Sequence, residues 1–114
     1  MGKGLNHVQT LTGVTGQIVL FPGQTVQQPS FQCTLHGWAL YNSDSSTHNV
    51  KFYVPTPSKN QKPAIPDATG ILVIQINVPA GLSKEFTDHE GWSFKDGLFV
   101  VADNANVVGS IFVS

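Results

Sequence analysis

An alternation of apolar and polar residues through most of the chain limits its fold more than any other feature. Val50, Phe52 and Val54, for example, alternate with Lys51 and Tyr53. A period of two is that of a β-strand, in which successive side chains point to opposite faces. No window sustains the 3.6-residue stripe of an amphipathic helix. The alternation therefore predicts an all-β protein.

Turn-forming residues divide the alternation into short strands. Clusters of Gly, Pro, Asn, Asp and Ser recur at intervals typical of antiparallel sandwiches and barrels. The polar run at 42–47 is predicted to be a hairpin loop. The Asx-rich turn at 103–106 predicts a second hairpin, between strands at 98–102 and 107–113. The count of seven or eight strands predicts an antiparallel, jelly-roll-like β-sandwich.

The domain organisation predicted from length and composition is simple. The 114 residues form a single β-sandwich domain, 1–114, with residues 1–6 as a flexible N-terminal arm. Residues 55–69 contain four prolines and no apolar run, so they form either an ordinary surface loop or a contact with a partner.

The charge pattern argues against nucleic acid as a partner. Seven acidic residues face six lysines, the net charge is -1, and the chain contains no arginine. Nucleic-acid binding depends on clustered cations that neutralise phosphates, and these lysines are scattered singly. The longest apolar run, residues 71–78, is too short to cross a bilayer. We expect neither nucleic-acid nor membrane binding.

The residues that could support catalysis or metal binding do not form a recognisable set. Cys33 and His36 lie three positions apart on a predicted strand, so their side chains should point to opposite faces. Asp88, His89 and Glu90 alternate along a polar strand that offers little burial. No nucleophile elbow, phosphate-binding loop or zinc-protease motif is present. The sequence predicts a non-enzyme without metal or cofactor.

The strand at 31–42 has a predicted orientation. Strict alternation places Cys33 and Leu35 on one face, and His36 and Trp38 on the other. Trp38 would then cover a sheet edge or face a neighbour.

Four aromatic residues are candidates for an interface: Trp38, Trp92, Phe94 and Phe99. Trp92 is placed at a strand start, with Phe94 on the same face. Each could instead pack on the protein's own core, or form a carbohydrate-stacking platform. Phe99 and Val101 add an outward apolar face that another chain or sheet must cover, which indicates an oligomer.

Five segments between residues 30 and 114 carry a family resemblance. They are HGWALYN (36–42), VKFY (50–53), INVPAG (76–81), FKDGLFVV (94–101) and GSIFV (109–113). With these segments, the chain resembles small structural proteins of tailed bacteriophages, the capsid decoration or cement class. That class has a long strand, an F-Y strand, a V-P-A-G turn and a closing hairpin.

The resemblance implies a function and a location. The chain would be a non-enzymatic virion protein that binds the major capsid protein at the capsid surface and stabilises the shell. It would be a homo-oligomer, with a trimer as one form, assembled in the host cytoplasm. The proline-rich loop departs from the family pattern, so no contact residue is carried over. The alternative is a receptor- or glycan-binding module of a phage fibre or tail, with Trp38 or Trp92 exposed beside polar side chains.

Overall fold

The structure, a computed structural model, describes residues 7–19, 33–56 and 67–114. The predicted arm at 1–6 and most of the proline-rich loop lie outside the described residues. Eight strands and one 3-10 helix, Gly13–Thr15, occupy the described ranges. The strands are β1 (His7–Thr10), β2 (Gln17–Val19), β3 (Cys33–Asn42), β4 (His48–Val54), β5 (Ile71–Val78), β6 (Ser83–Phe94), β7 (Leu98–Ala102) and β8 (Val107–Val113).

The strands form two four-stranded antiparallel sheets packed face to face. Their orders are β1-β8-β3-β6 in the first sheet and β2-β7-β4-β5 in the second. Among the described strands, only β4 and β5 are consecutive in the chain and also paired; every other pair of consecutive strands is divided between the two sheets. This is jelly-roll topology, and it confirms the predicted all-β sandwich.

The two predicted hairpins are wrong. Strand β7 pairs with β2 and β4, whereas β8 pairs with β1 and β3, so the turn at 103–106 passes from one sheet to the other. The run at 42–47 likewise joins β3 to β4 across the two sheets. Turn residues favour a chain reversal, but an arch between sheets uses the same residues as a hairpin within one.

The core lies between the sheets and is built from the inward residues of both. Strand β7 contributes at every second position, as the alternation predicts, and β8 contributes Val107, Ile111 and Val113. The largest fully buried apolar side chains are Phe52, Leu35, Leu40, Leu98, Ile111, Val19, Val50, Val78, Val100, Val107 and Val113.

A bulge overturns the predicted faces of β3. His36 alone lies opposite residues 88–91 of β6, because Leu35 pairs with Trp92 and Gly37 with Thr87. The irregularity shifts the alternation by one position, so residues on both sides of it point inward. Trp38 therefore faces the core, as Leu35 does, and the prediction that they lie on opposite faces is wrong.

Strands β5 and β6 also depart from prediction. Strand β6 continues to Phe94, so Trp92 lies near its end rather than at a strand start. In β5 the pairing skips Val73, since Phe52 pairs with Ile74 and Tyr53 with Leu72. Leu72, which strict alternation would place on the same face as the buried Ile76 and Val78, is 45% exposed as a result.

Glutamine side chains join the sheets along one side of the sandwich, at β1 and β2. The Nε2 atom of Gln9 donates to the carbonyl oxygen of Ile18 at 2.9 Å. The Nε2 atom of Gln17 donates to the carbonyl oxygen of Thr10 at 2.8 Å. Each sheet thus receives a side-chain hydrogen bond from the edge strand of the other.

Candidate interface

An aromatic cluster runs from the core to the surface at the opposite side of the sandwich. Phe52 is fully buried, and its ring centroid lies 6.0 Å from that of Trp38. Trp38 in turn lies 5.2 Å from Phe86 and 6.3 Å from Trp92. Phe86 and Trp92 stack on each other at 5.4 Å, with an interplanar angle of 7°. Stacked aromatic pairs of this kind stabilise beyond their buried area.

The outer members of this cluster are inward-facing residues that the second sheet fails to cover. Phe86 pairs with Trp38 and Trp92 pairs with Leu35, and directly opposed residues share a face of the sheet. Both β3 partners are buried, yet Phe86 is 38% and Trp92 is 41% exposed. Strand β6 is the last strand of its sheet, and β5, the last strand of the other, leaves its inner face open.

A shallow apolar groove lies between β5 and β6 at this opening. Its volume is about 310 Å³, and its lining residues are Val73, Ile74, Trp92 and Phe94. None of the four side chains carries a charge, and only the tryptophan indole has a hydrogen-bonding group. A groove of this composition suits an apolar partner better than a hydroxyl-rich one.

The four sequence-predicted interface residues have different surroundings. Trp92 lies at the surface of the groove, and Phe94 lines it while packing partly against the core. Trp38 is only 9% exposed, so it supports the outer rings from beneath. Phe99 lies on the outer face of β7, in the other sheet, and is half-buried.

Phe99 is covered by its own chain. A Cβ atom added to Gly16 would fall inside van der Waals contact of the Phe99 ring, with Val101 close by. The segment after the 3-10 helix therefore packs directly on this apolar face. The inference that the Phe99 face needs another chain is not supported, because residues near Gly16 cover it.

Sequence reasoning missed Phe86 and the exposed aliphatic start of β5. Ile71, Leu72 and Val73 are 50%, 45% and 42% exposed. Phe86 is the only large apolar residue in the polar run 83–90, and that isolation was the available signal. Nothing in the sequence indicated that residues 71–73 are exposed, because a continuous apolar run is equally typical of a buried strand.

A polar cluster orders the connections at one end of the sandwich. The buried amide of Asn42 donates to the carbonyl oxygens of Ser46 at 2.7 Å and Val78 at 2.9 Å. Its side-chain oxygen accepts the backbone N–H of Asp44 at 2.9 Å. These three bonds tie the β3–β4 arch to the end of β5.

His48 lies between two carboxylates in the same region. Its Nε2 atom is 2.5 Å from Oδ2 of Asp44, and its Nδ1 atom is 3.2 Å from Oδ1 of Asp103. The hydrogen bond from His48 lowers the pKa of Asp44 below its usual range. Asp103 also accepts the backbone N–H of Asn49, which links the β7–β8 arch to β4.

The other residues weighed for chemistry have structural partners. His36 is buried, with Nδ1 3.0 Å from the carbonyl oxygen of Asp88 and Nε2 2.7 Å from the hydroxyl of Ser114. Burial raises the pKa of the Cys33 thiol to about 12, which keeps it protonated and unreactive. The prediction that Asp88, His89 and Glu90 alternate along a regular strand is wrong, since they lie in the β6 bulge.

The described residues contain neither a cluster of metal ligands nor a helix that could span a membrane. Within residues 7–19, 33–56 and 67–114, no three His, Cys, Asp or Glu side chains converge as metal ligands would. Over the same ranges, none of the helical structure has the length and apolar character needed to span a bilayer.

Comparison with known proteins identified no relative. No family model, no curated protein and no solved structure matches the chain.

Proposed function

We propose that this chain is a non-enzymatic virion structural protein that decorates the capsid of a tailed bacteriophage and stabilises it. The observation that supports the proposal most directly is the uncharged apolar surface at the open side of the sandwich, formed by Phe86, Trp92 and the start of β5. Interfaces have apolar, aromatic centres that are depleted in charge. The sequence resemblance to the decoration class supplies the partner, the major capsid protein, and the location, the capsid surface.

The mechanism would be additive across a lattice. Each copy bridges neighbouring shell subunits, so local opening of the shell must also break the contacts of that copy. Repeated placement on a symmetric shell raises the effective affinity of individually modest contacts. Residues 1–6 would serve as an arm that contacts the shell, and removal of that arm should weaken attachment without unfolding the sandwich.

The test is the copy number of the chain in density-purified particles from its source. Quantitative mass spectrometry would measure this number against the major shell protein. A simple fraction of the shell copy number is expected for a lattice-bound protein. A few copies per particle would place the chain in the tail or fibre, and absence from particles would refute the virion role.

A second function, a receptor- or glycan-binding module of a fibre or tail, is favoured by one observation. Phe86 and Trp92 form an exposed, parallel ring pair, and exposed rings can stack on sugars. Against this function, the adjoining groove lacks the polar side chains that would bind sugar hydroxyls. Trp92→Ala should abolish retention on a glycan array if this function holds, and Phe99→Ala, on the other sheet, should not.

A further inference from the structure

We infer that the free edge of β5 binds the β5 edge of a second copy of this chain, in an antiparallel two-fold pairing that joins two sandwiches through one continuous sheet. The inference concerns assembly of the chain with itself and does not depend on what the assembly coats. It follows from the four sheet edges, of which the β5 edge is the long one without a charged side chain among the described residues.

Three of the four edge strands carry recognisable protection. Within the described residues, strands β1 and β2 span four and three residues, and the side-chain bonds from Gln9 and Gln17 occupy carbonyl oxygens of the facing strand. Strand β6 carries Lys84, Glu85, Asp88 and Glu90, and residues 88–91 form a bulge. Short length, charge and bulges are the devices by which proteins prevent their edge strands from pairing with other chains.

Strand β5 is neither short nor charged, and its one irregularity is at Val73, which the pairing with β4 skips. It has eight residues, ILVIQINV, of which six are aliphatic and none is charged. It is the last strand of its sheet, and no described strand pairs with its outer edge. A long, uncharged, aliphatic edge exposes unpaired backbone groups that a further strand would satisfy.

The inner face of the opposite sheet is left partly exposed at this position. Phe86 and Trp92 point inward from β6 yet remain exposed, because the second sheet ends at β5. One more strand beside β5 would extend that sheet over the inner face of β6. Its inward side chains would then cover the two rings and the groove beside Val73 and Ile74.

The pattern of charge favours a second copy as the occupant. A two-fold interface places the same strand on both sides, so any charge near the axis would face its own image. Strand β5 is neutral along its whole length, so it pairs with itself without such repulsion. Its aliphatic side chains would also supply the apolar cover that the exposed rings of Phe86 and Trp92 lack. The two sheets would join through their β5 strands.

The experiment begins with the purified wild-type chain, without particles. Sedimentation equilibrium over a range of concentrations should show a monomer–dimer equilibrium. Val73→Lys should weaken the dimer by about two orders of magnitude, because it places like charges across the two-fold contact. Val108→Lys is the matched control: Val108 is 51% exposed but lies on β8, a central strand. That variant should dimerise like the wild type.

Hydrogen exchange of the wild-type chain provides a second readout that needs no variant. Backbone amides of β5 should become protected as concentration rises, and those of β6 should not. A wild-type chain that stays monomeric, forms trimers, or gains protection only outside β5 would overturn the inference. Equal loss of dimer in both lysine variants would also overturn it. If Val73→Lys fails to fold, as circular dichroism would reveal, the wild-type exchange pattern decides.

The outcome is separable from that of the proposed function. A dimer that is absent from particles would refute capsid decoration and leave the β5 pairing intact. A chain that decorates particles but remains monomeric in isolation and unprotected at β5 would refute the β5 pairing and leave capsid decoration intact.

Discussion

Replacing Asn42 by alanine should cost more stability than any other single polar truncation in the described part of the chain. The Asn42 side chain is fully buried and makes three hydrogen bonds, to Ser46, Val78 and Asp44. A hydrogen bond contributes about 0.5–1.5 kcal/mol net, so three bonds amount to about 3 kcal/mol. Unfolding entropy of about 2.1 cal/mol/K per residue over this chain converts that loss into a decrease in Tm of about 12 °C.

Urea unfolding followed by tryptophan fluorescence, together with calorimetry, would measure the effect. Asn77→Ala is the matched control, since Asn77 is exposed and its side chain bonds only that of Gln75; it should change stability by less than about 0.5 kcal/mol. Asn42→Asp keeps the accepted bond but directs a carboxylate at two carbonyl oxygens, so it should be at least as destabilising as alanine. A loss below about 1 kcal/mol for Asn42→Ala, at an unchanged m-value, would refute the assignment of Asn42 as the main polar tie between these connections.

Three further predictions concern single residues. Gly37→Ala should destabilise the fold by about 3 kcal/mol, because φ is +148° and the new Cβ would collide with the backbone oxygen of Phe86; wild-type stability in chemical denaturation would contradict this. The pKa of Asp44 is lowered by His48, so its contribution is full above the ordinary value of 3.8 and is lost as pH falls below it. Asp44→Asn should therefore be less stable than wild type near neutrality, and this difference in stability should disappear as the pH falls. A difference that stays constant with pH would refute the contribution of the ionised Asp44. Cys33, with a pKa of about 12, should be alkylated only as fast as the protein opens, and rapid labelling of the native chain would show the thiol to be accessible.

The strands were predictable from the sequence, but their assignment to sheets was not. Alternation is a local property of a strand and survives in β4, β7 and β8. Sheet membership depends on partners far along the chain, and the Asx turn at 103–106 reads the same whether it closes a hairpin or an arch. The predicted β7–β8 hairpin failed for this reason.

The candidate site was predictable only in part. Trp92 and Phe94 were identified by residue type and do line the groove. The orientation of Trp38 depended on the bulge at His36, which places one residue opposite four and leaves no clear local signature. Phe86 was missed because its exposure results from where the opposing sheet ends, which no strand pattern encodes.

The position of β8 determines when the sandwich can form. In its sheet, β8 lies between β1 and β3, and those two strands have no pairing with each other. During synthesis β1 must therefore wait, unpaired, until residues 107–113 have left the ribosome, whereas β3 can pair earlier on its other side with β6. Among the described strands, only β4 and β5 are paired and also consecutive in the chain. Closing such distant contacts is slow, so β1 and the β8-facing edge of β3 stay unpaired on the nascent chain until β8 emerges, and chaperone demand should fall only after that point.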